Sequence, residues 1–358
     1  MLKALALLTA SWLAQAEGTS VTKVEEKLPF VTSLHFENDV LAKSDRLYTN
    51  GIRIEHYGEY DGCRSIARTL GLPDGLEHRY LCGGSLAQNM YTPSRIVPLP
   101  DQEVFPDPND RPYGGWLHGG ILFQHIRAGR EPADSSRLTL QATVGVTGPA
   151  SGAAQTQRWL HRTLNNIFGH TVARIPVGWE KQLPTEPAFH FSALREQPLI
   201  WSPVVDVTWS AGAMLGTVFV NGSLGGTVRV GYLARPYGLA PIMPSVLEEL
   251  EERRVRSGAP RSEAMPLRDE RAWEAYLYAR GQVRVVARNL FLDGRLFRPS
   301  ISVRKAPIVG DSEFGAAFRT GGFQFGLGMV FRSQEMEDPP NPLLSGHRFT
   351  QIQLSYLH

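Results

Sequence analysis

The sequence predicts an all-β protein, and within that class an antiparallel transmembrane β-barrel of about 12 strands. Two observations carry the prediction. Segments that alternate apolar and polar residues with period two recur from one end of the chain to the other. Beyond residue 16, no run approaches the ~18 apolar residues of a membrane helix, so any membrane span has to be made of strands. A soluble sandwich shows the same alternation, with its polar residues outward, and period alone leaves both architectures open.

The elements follow in order. Residues 1–16 read as a secretory signal: Lys3 is the positive start, ALALLTASWL the apolar middle, and AQA, ending at Ala16, the small-residue cleavage pattern. A buried N-terminal helix would be the other reading, but no cap or amphipathic face accompanies the run. The mature chain is expected to begin near Glu17, with the barrel occupying 17–358 as one domain. Strands are expected near 31–38, 50–60, 82–92 and 115–127. The run RLTLQATVGV follows (137–146), with Leu138, Leu140, Ala142, Val144 and Val146 opposing Thr139, Gln141, Thr143 and Gly145. Further strands are expected near 188–197, 204–214, 220–233, 274–291 and 300–318. In GGFQFGLGMVF, Phe323, Phe325, Leu327, Met329 and Phe331 form the oily face. The last strand, near 347–357, carries Ile352, Leu354 and Tyr356 in alternation up to the terminus. It resembles the closing strand of outer-membrane barrels, although His358 stands where those usually have an aromatic residue.

Three connections are long. Residues 93–113 are rich in Pro and Asp, 147–187 contain one helical stretch, and 234–272 include VLEELEERRVR, either an amphipathic helix or a solvated charge run. With 358 residues, 42% hydrophobic and 20% charged, the chain is able to build a core and is not broadly disordered. The formal charge of +2 falls to +1 once Lys3 leaves with the signal, and nucleic acid is not an expected partner. Of 37 basic residues 31 are arginine, whose fork suits bidentate contact with phosphate, although genome composition produces the same bias. Cys63 and Cys82 are the only cysteines. In an exported chain the pair permits a disulfide, with two buried thiols as the other possibility.

The chemistry concentrates in two places. FENDVLAKSDRLYTNGIRI (36–54) crowds Glu37, Asn38, Asp39 and Asp45 ahead of a strand. With both chain ends in the periplasm, this first loop lies at the outer rim, and the loop 147–187 lies at the same rim. There TGPASGAAQTQRWLHRTLNNIFG places a turn at Gly148, Pro149 and Gly152 before a helix of about fifteen residues, on which Gln157 and His161 are four apart and share a face. Taken singly these are ordinary features. Leu160, Leu164 and Phe168 flank His161 as they would a packing histidine, and Asn and Asp are common turn formers. Taken together they suggest that Asp39, with neighbouring carbonyls, holds a hard cation such as Ca²⁺. A neutral His161 beside it would deprotonate water, while the cation stabilises the oxyanion of an attacked ester.

The blocks ENDVLAKSDRLYTNG, QNMYTP, DRPYGGWL, VGVTGPASG with QRWLH, GWEKQLPTEP and FLDGRLFRPSISVRK, in this order, resemble the lipid A 3'-O-deacylase family over nearly the whole mature chain. The resemblance implies a barrel of twelve antiparallel strands in the outer membrane. It implies hydrolysis of the ester-linked acyl chain at the 3'-position of lipid A with Ca²⁺, by a phospholipase A2-like mechanism in which histidine activates water and no acyl-enzyme forms. Position by position, Asn38 and Asp39 match the family's Asn-Asp pair, with Asp39 the metal ligand. Thr49 matches the threonine of the YT element, Gln157 the glutamine one turn before the base, and His161 the base itself. Ser44 and Arg295 depart from the family pattern, at positions where threonine and asparagine are usual. A lipid A or lipopolysaccharide partner would also give the rim arginines phosphates to bind, with Arg53, Arg95 and Arg111 as candidates, unless each pairs with acidic neighbours. Two other functions remain open: a non-catalytic pore or adhesin with structural calcium, and an outer-membrane phospholipase with a serine nucleophile, for which no G-x-S-x-G is present.

Overall fold

In the computed structural model, twelve antiparallel strands close on themselves: β1 (Val31–Asn38), β2 (Leu47–Gly58), β3 (His78–Thr92), β4 (Gly114–Arg127), β5 (Ser136–Thr147), β6 (Pro187–Ile200), β7 (Val205–Gly216), β8 (Phe219–Tyr232), β9 (Trp273–Asn289), β10 (Ile308–Thr320), β11 (Phe323–Arg332) and β12 (His347–Leu357). The structure describes residues 30–39, 47–75, 77–100, 103–127, 129, 131–169, 173–233, 273–296, 298–340 and 346–358. The expected signal segment, Asp45, the departure at Ser44 and the VLEELEERRVR run lie outside them. Each strand pairs with its sequence neighbours, and β1 pairs with β12 from Val31↔Leu357 to Asn38↔Thr350, so no edge is left open. Backbone bonds between Phe30 and His358 (3.0 and 2.9 Å) fasten the two ends of the described chain together at one mouth.

The alternation resolves as a membrane barrel. Along β5, Leu140, Ala142 and Val144 point outward while Arg137, Thr139, Gln141 and Thr143 are buried inward. Along β11, Phe323, Phe325, Leu327 and Phe331 point out and Gln324 and Arg332 point in. A sandwich would bury the opposite set. Among the described residues, no helix is long and apolar enough to cross a membrane. The lumen is filled by charge pairs: Arg229 with Asp206 and with Glu274 (3.6 Å), Arg137 with Glu196 (3.1 Å), and Arg332 and Arg284 with Asp311 (both 2.8 Å). At the mouth opposite the chain ends, an apolar cluster of Tyr48, Tyr91, Trp116, Leu183, Val330 and Phe349 closes around Leu290 and Phe291 of the short helical turn α3 (Leu290–Asp293).

Three local expectations change. The run 300–318 joins the barrel ladder only from Ile308, after an isolated bridge between Lys305 and Met336, and Pro299 and Pro307, which lack the ladder's donor, bracket the part left out. The ninth strand gives way to the helical turn after Asn289, whose side chain caps it through Phe291 N (3.1 Å). A helix, α1 (Asp61–Thr69), follows β2, and the Cys63–Cys82 disulfide, with Cα atoms 5.6 Å apart, ties it to β3.

Candidate active site

The site is built on the outside of the wall. The cross-strand row Leu34–Ile54–Leu86 on β1, β2 and β3 faces outward and is 43, 51 and 58% exposed. Four residues further along the same face, roughly 13 Å at strand rise, the row Asn38–Asn50–Met90 is 1, 0 and 0% exposed. What covers it is the loop after β5. That loop opens with a 3₁₀ turn (Gly148–Ser151) and continues as α2 (Ala153–Phe168), and Met90 packs with Ala153 and Ala154 in its first turn. Gln88 Nε2 donates to Ser151 O (2.6 Å), so the turn rests on the same outer face. Gly115, paired with Met90, completes the seat, since a Cβ there would overlap Ser151 Oγ and Ala153 Cβ. Gly152 enters the helix at φ 70°, a left-handed conformation that suits glycine.

One stripe of α2 holds the chain that returns to β6. Trp179 Nε1 donates to Gln157 Oε1 (2.7 Å), His161 Nδ1 lies 2.6 Å from Arg174 O, and Asn165 exchanges two hydrogen bonds with Ala173 (2.8 and 2.9 Å). A carbonyl only accepts, so His161 Nδ1 carries the hydrogen, and in the neutral ring Nε2 bears the lone pair. Burial lowers the His161 pKa below its ordinary 6.5, and the bond to Arg174 O opposes this. An indole N–H only donates, so the Gln157 amide is oriented with Oε1 toward Trp179. Its Nε2 is buried and has no hydrogen-bond partner among the described residues.

On the wall side, Thr49 lies in an irregularity between Tyr48 and Asn50. Its carbonyl accepts from Asn38 Nδ2 (3.3 Å) and Asp39 N (3.2 Å), and its hydroxyl lies 2.7 Å from that of Thr92. Asp39 is fully buried, with Oδ2 4.0 Å from His347 Nε2. Among the described residues, no group of three or more His, Cys, Asp or Glu side chains forms that could hold a metal ion. This end of the wall nevertheless carries oxygen-bearing groups of the kind a hard cation takes: the buried Asp39 carboxylate, the hydroxyls of Thr49 and Thr92 and the amide of Asn38. Their chemistry would suit Ca²⁺, with the Asp39 carboxylate as the charged group to hold it.

Asn38, Asp39 and Thr49 therefore lie at the ends of the first wall strands, and Gln157 and His161 on α2, whose first turn packs on Met90 in the same row as Asn38. Sequence reasoning missed Thr92, Asn50, Asn165, Trp179 and His347. Thr92, Asn50 and Trp179 had a signal, their places in the QNMYTP, ENDVLAKSDRLYTNG and GWEKQLPTEP blocks, whereas Asn165 and His347 had none. The arginine candidates divide. Arg53 faces the lumen against Glu55, and Arg111 binds Glu335 (3.1 Å), so both are engaged, whereas Arg95 is exposed. Burial would raise the Glu335 carboxyl, but Arg111, Arg332 and Arg284 hold it at about 2. Arg295 binds Glu186 (2.6 Å), pinning the turn after α3 to the loop that carries α2's return.

Comparisons with known proteins agree with this architecture. LpxR from Salmonella typhimurium superposes with a TM-score of 0.64 at 17% identity, over 92% of this chain and 100% of that one. The β domain of the Bordetella autotransporter BrkA gives 0.41 at 10% identity, over 93% of this chain and 98% of that one. No curated protein sequence matches. The family model described as outer membrane protein LpxR matches residues 1–357, and the chain belongs to that family of outer-membrane β-barrel proteins.

Proposed function

We propose that this protein is a calcium-dependent esterase of the outer membrane that removes the 3'-linked acyl chain of lipid A. The observation that carries the reading is where the polar residues sit. They lie between the outer wall and α2, on the same face as the apolar row Leu34–Ile54–Leu86, so a lipid would approach them sideways from the membrane at the edge of this cover rather than through the lumen. Family membership supports the same reading.

His161 acts as general base, with Nε2 taking a proton from water while the Arg174 carbonyl holds the ring and receives the Nδ1 hydrogen bond. The water attacks the ester carbonyl directly, and the alcohol leaves with a proton returned from the imidazolium. The Gln157 amide, fixed by Trp179, turns a donor toward the reacting group. Asn38 and Thr49 orient the strand end so that Asp39 presents its carboxylate to the ion. Bound Ca²⁺ supplies positive charge for the developing oxyanion. Arg95 is the remaining rim candidate for a lipid phosphate.

The test uses purified protein in detergent micelles with lipid A, and mass spectrometry of the product. Loss of one 3'-acyl chain, abolished by chelation, restored by Ca²⁺ and absent in Asp39→Asn, is expected. Turnover that persists unchanged in chelator rules out the metal-dependent mechanism.

A further inference from the structure

Asn50 is the centre of the covered row, paired with Asn38 on one side and Met90 on the other, beneath the first turn of α2. Its side chain is fully buried, and neither Oδ1 nor Nδ2 has a hydrogen-bond partner among the described residues. A buried amide with both ends unsatisfied is costly, and a leucine of similar shape would remove the cost. Its neighbours behave differently: Asn38, Thr49 and Thr92 all make hydrogen bonds within the wall.

We propose that Asn50 is a further substrate-binding residue, whose amide pairs in the complex with a group that both donates and accepts, such as the secondary amide or a hydroxyl of the acylated sugar headgroup. This rests on the esterase reading above and extends it from the reacting ester to the headgroup beside it. The strand register puts Asn50 on the same outward face as Asn38, away from the lumen. A lipid entering from the side would meet this amide on the wall, beneath the first turn of α2.

Asn50→Leu separates a binding group from an idle buried amide, because the two roles move stability and affinity differently. Melting temperature, kcat and KM on lipid A are measured for the wild type and Asn50→Leu, and lipid A affinity is measured by calorimetry for His161→Ala with and without Asn50→Leu. The expected result is a melting temperature no lower than wild type, with KM and the dissociation constant each raised about 10-fold or more. Unchanged KM and affinity in the folded variant overturn the proposal, leaving the esterase reading intact. Binding without turnover in the wild type overturns the esterase reading alone, since the affinity comparison still reports on Asn50. No lipid A binding by either protein overturns both. If Asn50→Leu does not fold, Asn50→Ser, which keeps a hydroxyl but shortens its reach, is expected to weaken binding in the same direction, and equal affinity would contradict the proposal.

Discussion

At the scale of single residues, the proposed base is defined by what surrounds it. Because Arg174 O fixes the tautomer and burial disfavours the imidazolium, His161 stays neutral below the pH at which a free histidine protonates. The sign follows: a depressed folded-state pKa favours the neutral form above it, and both activity and the accompanying stability are lost as pH falls through that lowered value. The kcat profile should therefore be flat through pH 6.5 and decline only on further acidification; a midpoint at or above 6.5 would contradict a buried neutral base. Trp179→Phe keeps the packing against Tyr113 (ring centres 4.8 Å apart) but removes the indole donor, freeing the Gln157 amide to turn. We expect kcat to fall about 10-fold with KM little changed, and no further loss when Gln157 is already Ala; an additive loss would mean Trp179 acts through packing. That His161 and Gln157 share a helix face was legible in the sequence from their spacing, while their proposed roles came from the family resemblance. Their partners were not legible, since Arg174 and Trp179 lie beyond the end of the helix and reach it only by folding back, and Asn50 looks like any strand residue until the register is known.

At the scale of elements, α2 works only if it lies flat on the wall, and Gly115 is what lets it. Gly115→Val would drive a side chain into Ser151 and Ala153, an overpacking cost of about 1–3 kcal/mol. The β-signature in circular dichroism should persist while lipid A turnover falls and proteolytic nicking within 148–178 rises; an uncut, fully active variant would show that the helix does not need this seat. The sequence made this helix legible through its turn at Gly148, Pro149 and Gly152, and the helix runs sixteen residues. It did not reveal α1, a nine-residue helix whose buried residues are Cys63 and Ala67. The strand expected from 300 failed for a reason already present in the sequence, because Pro299 and Pro307 bracket a segment that does not enter the ladder.

At the scale of the whole molecule, period two was enough to count strands but not to say which face is wet. That depends on closure, which turns Arg137, Arg229 and Arg332 inward onto carboxylates and leaves Val144 and Phe323 outside. Arg53 and Arg111 looked like phosphate binders for the same reason: sequence distance places them near the rim but does not say that Glu55 and Glu335 are waiting. Among the described residues the lumen is crossed by such pairs and capped at one mouth by Tyr91, Phe291 and their neighbours, which argues against a wide aqueous channel. In planar bilayers the protein should give no steady porin-like conductance; open steps of that size would favour the pore reading. The central claim, that the seam between wall and α2 hydrolyses lipid A with His161 as base, is tested most directly by mass spectrometry of lipid A from cells expressing the wild type or His161→Ala at equal outer-membrane levels. The account predicts a species lacking the 3'-acyl chain with the wild type and fully acylated lipid A with the variant; equal deacylation by both, or by neither, would contradict it.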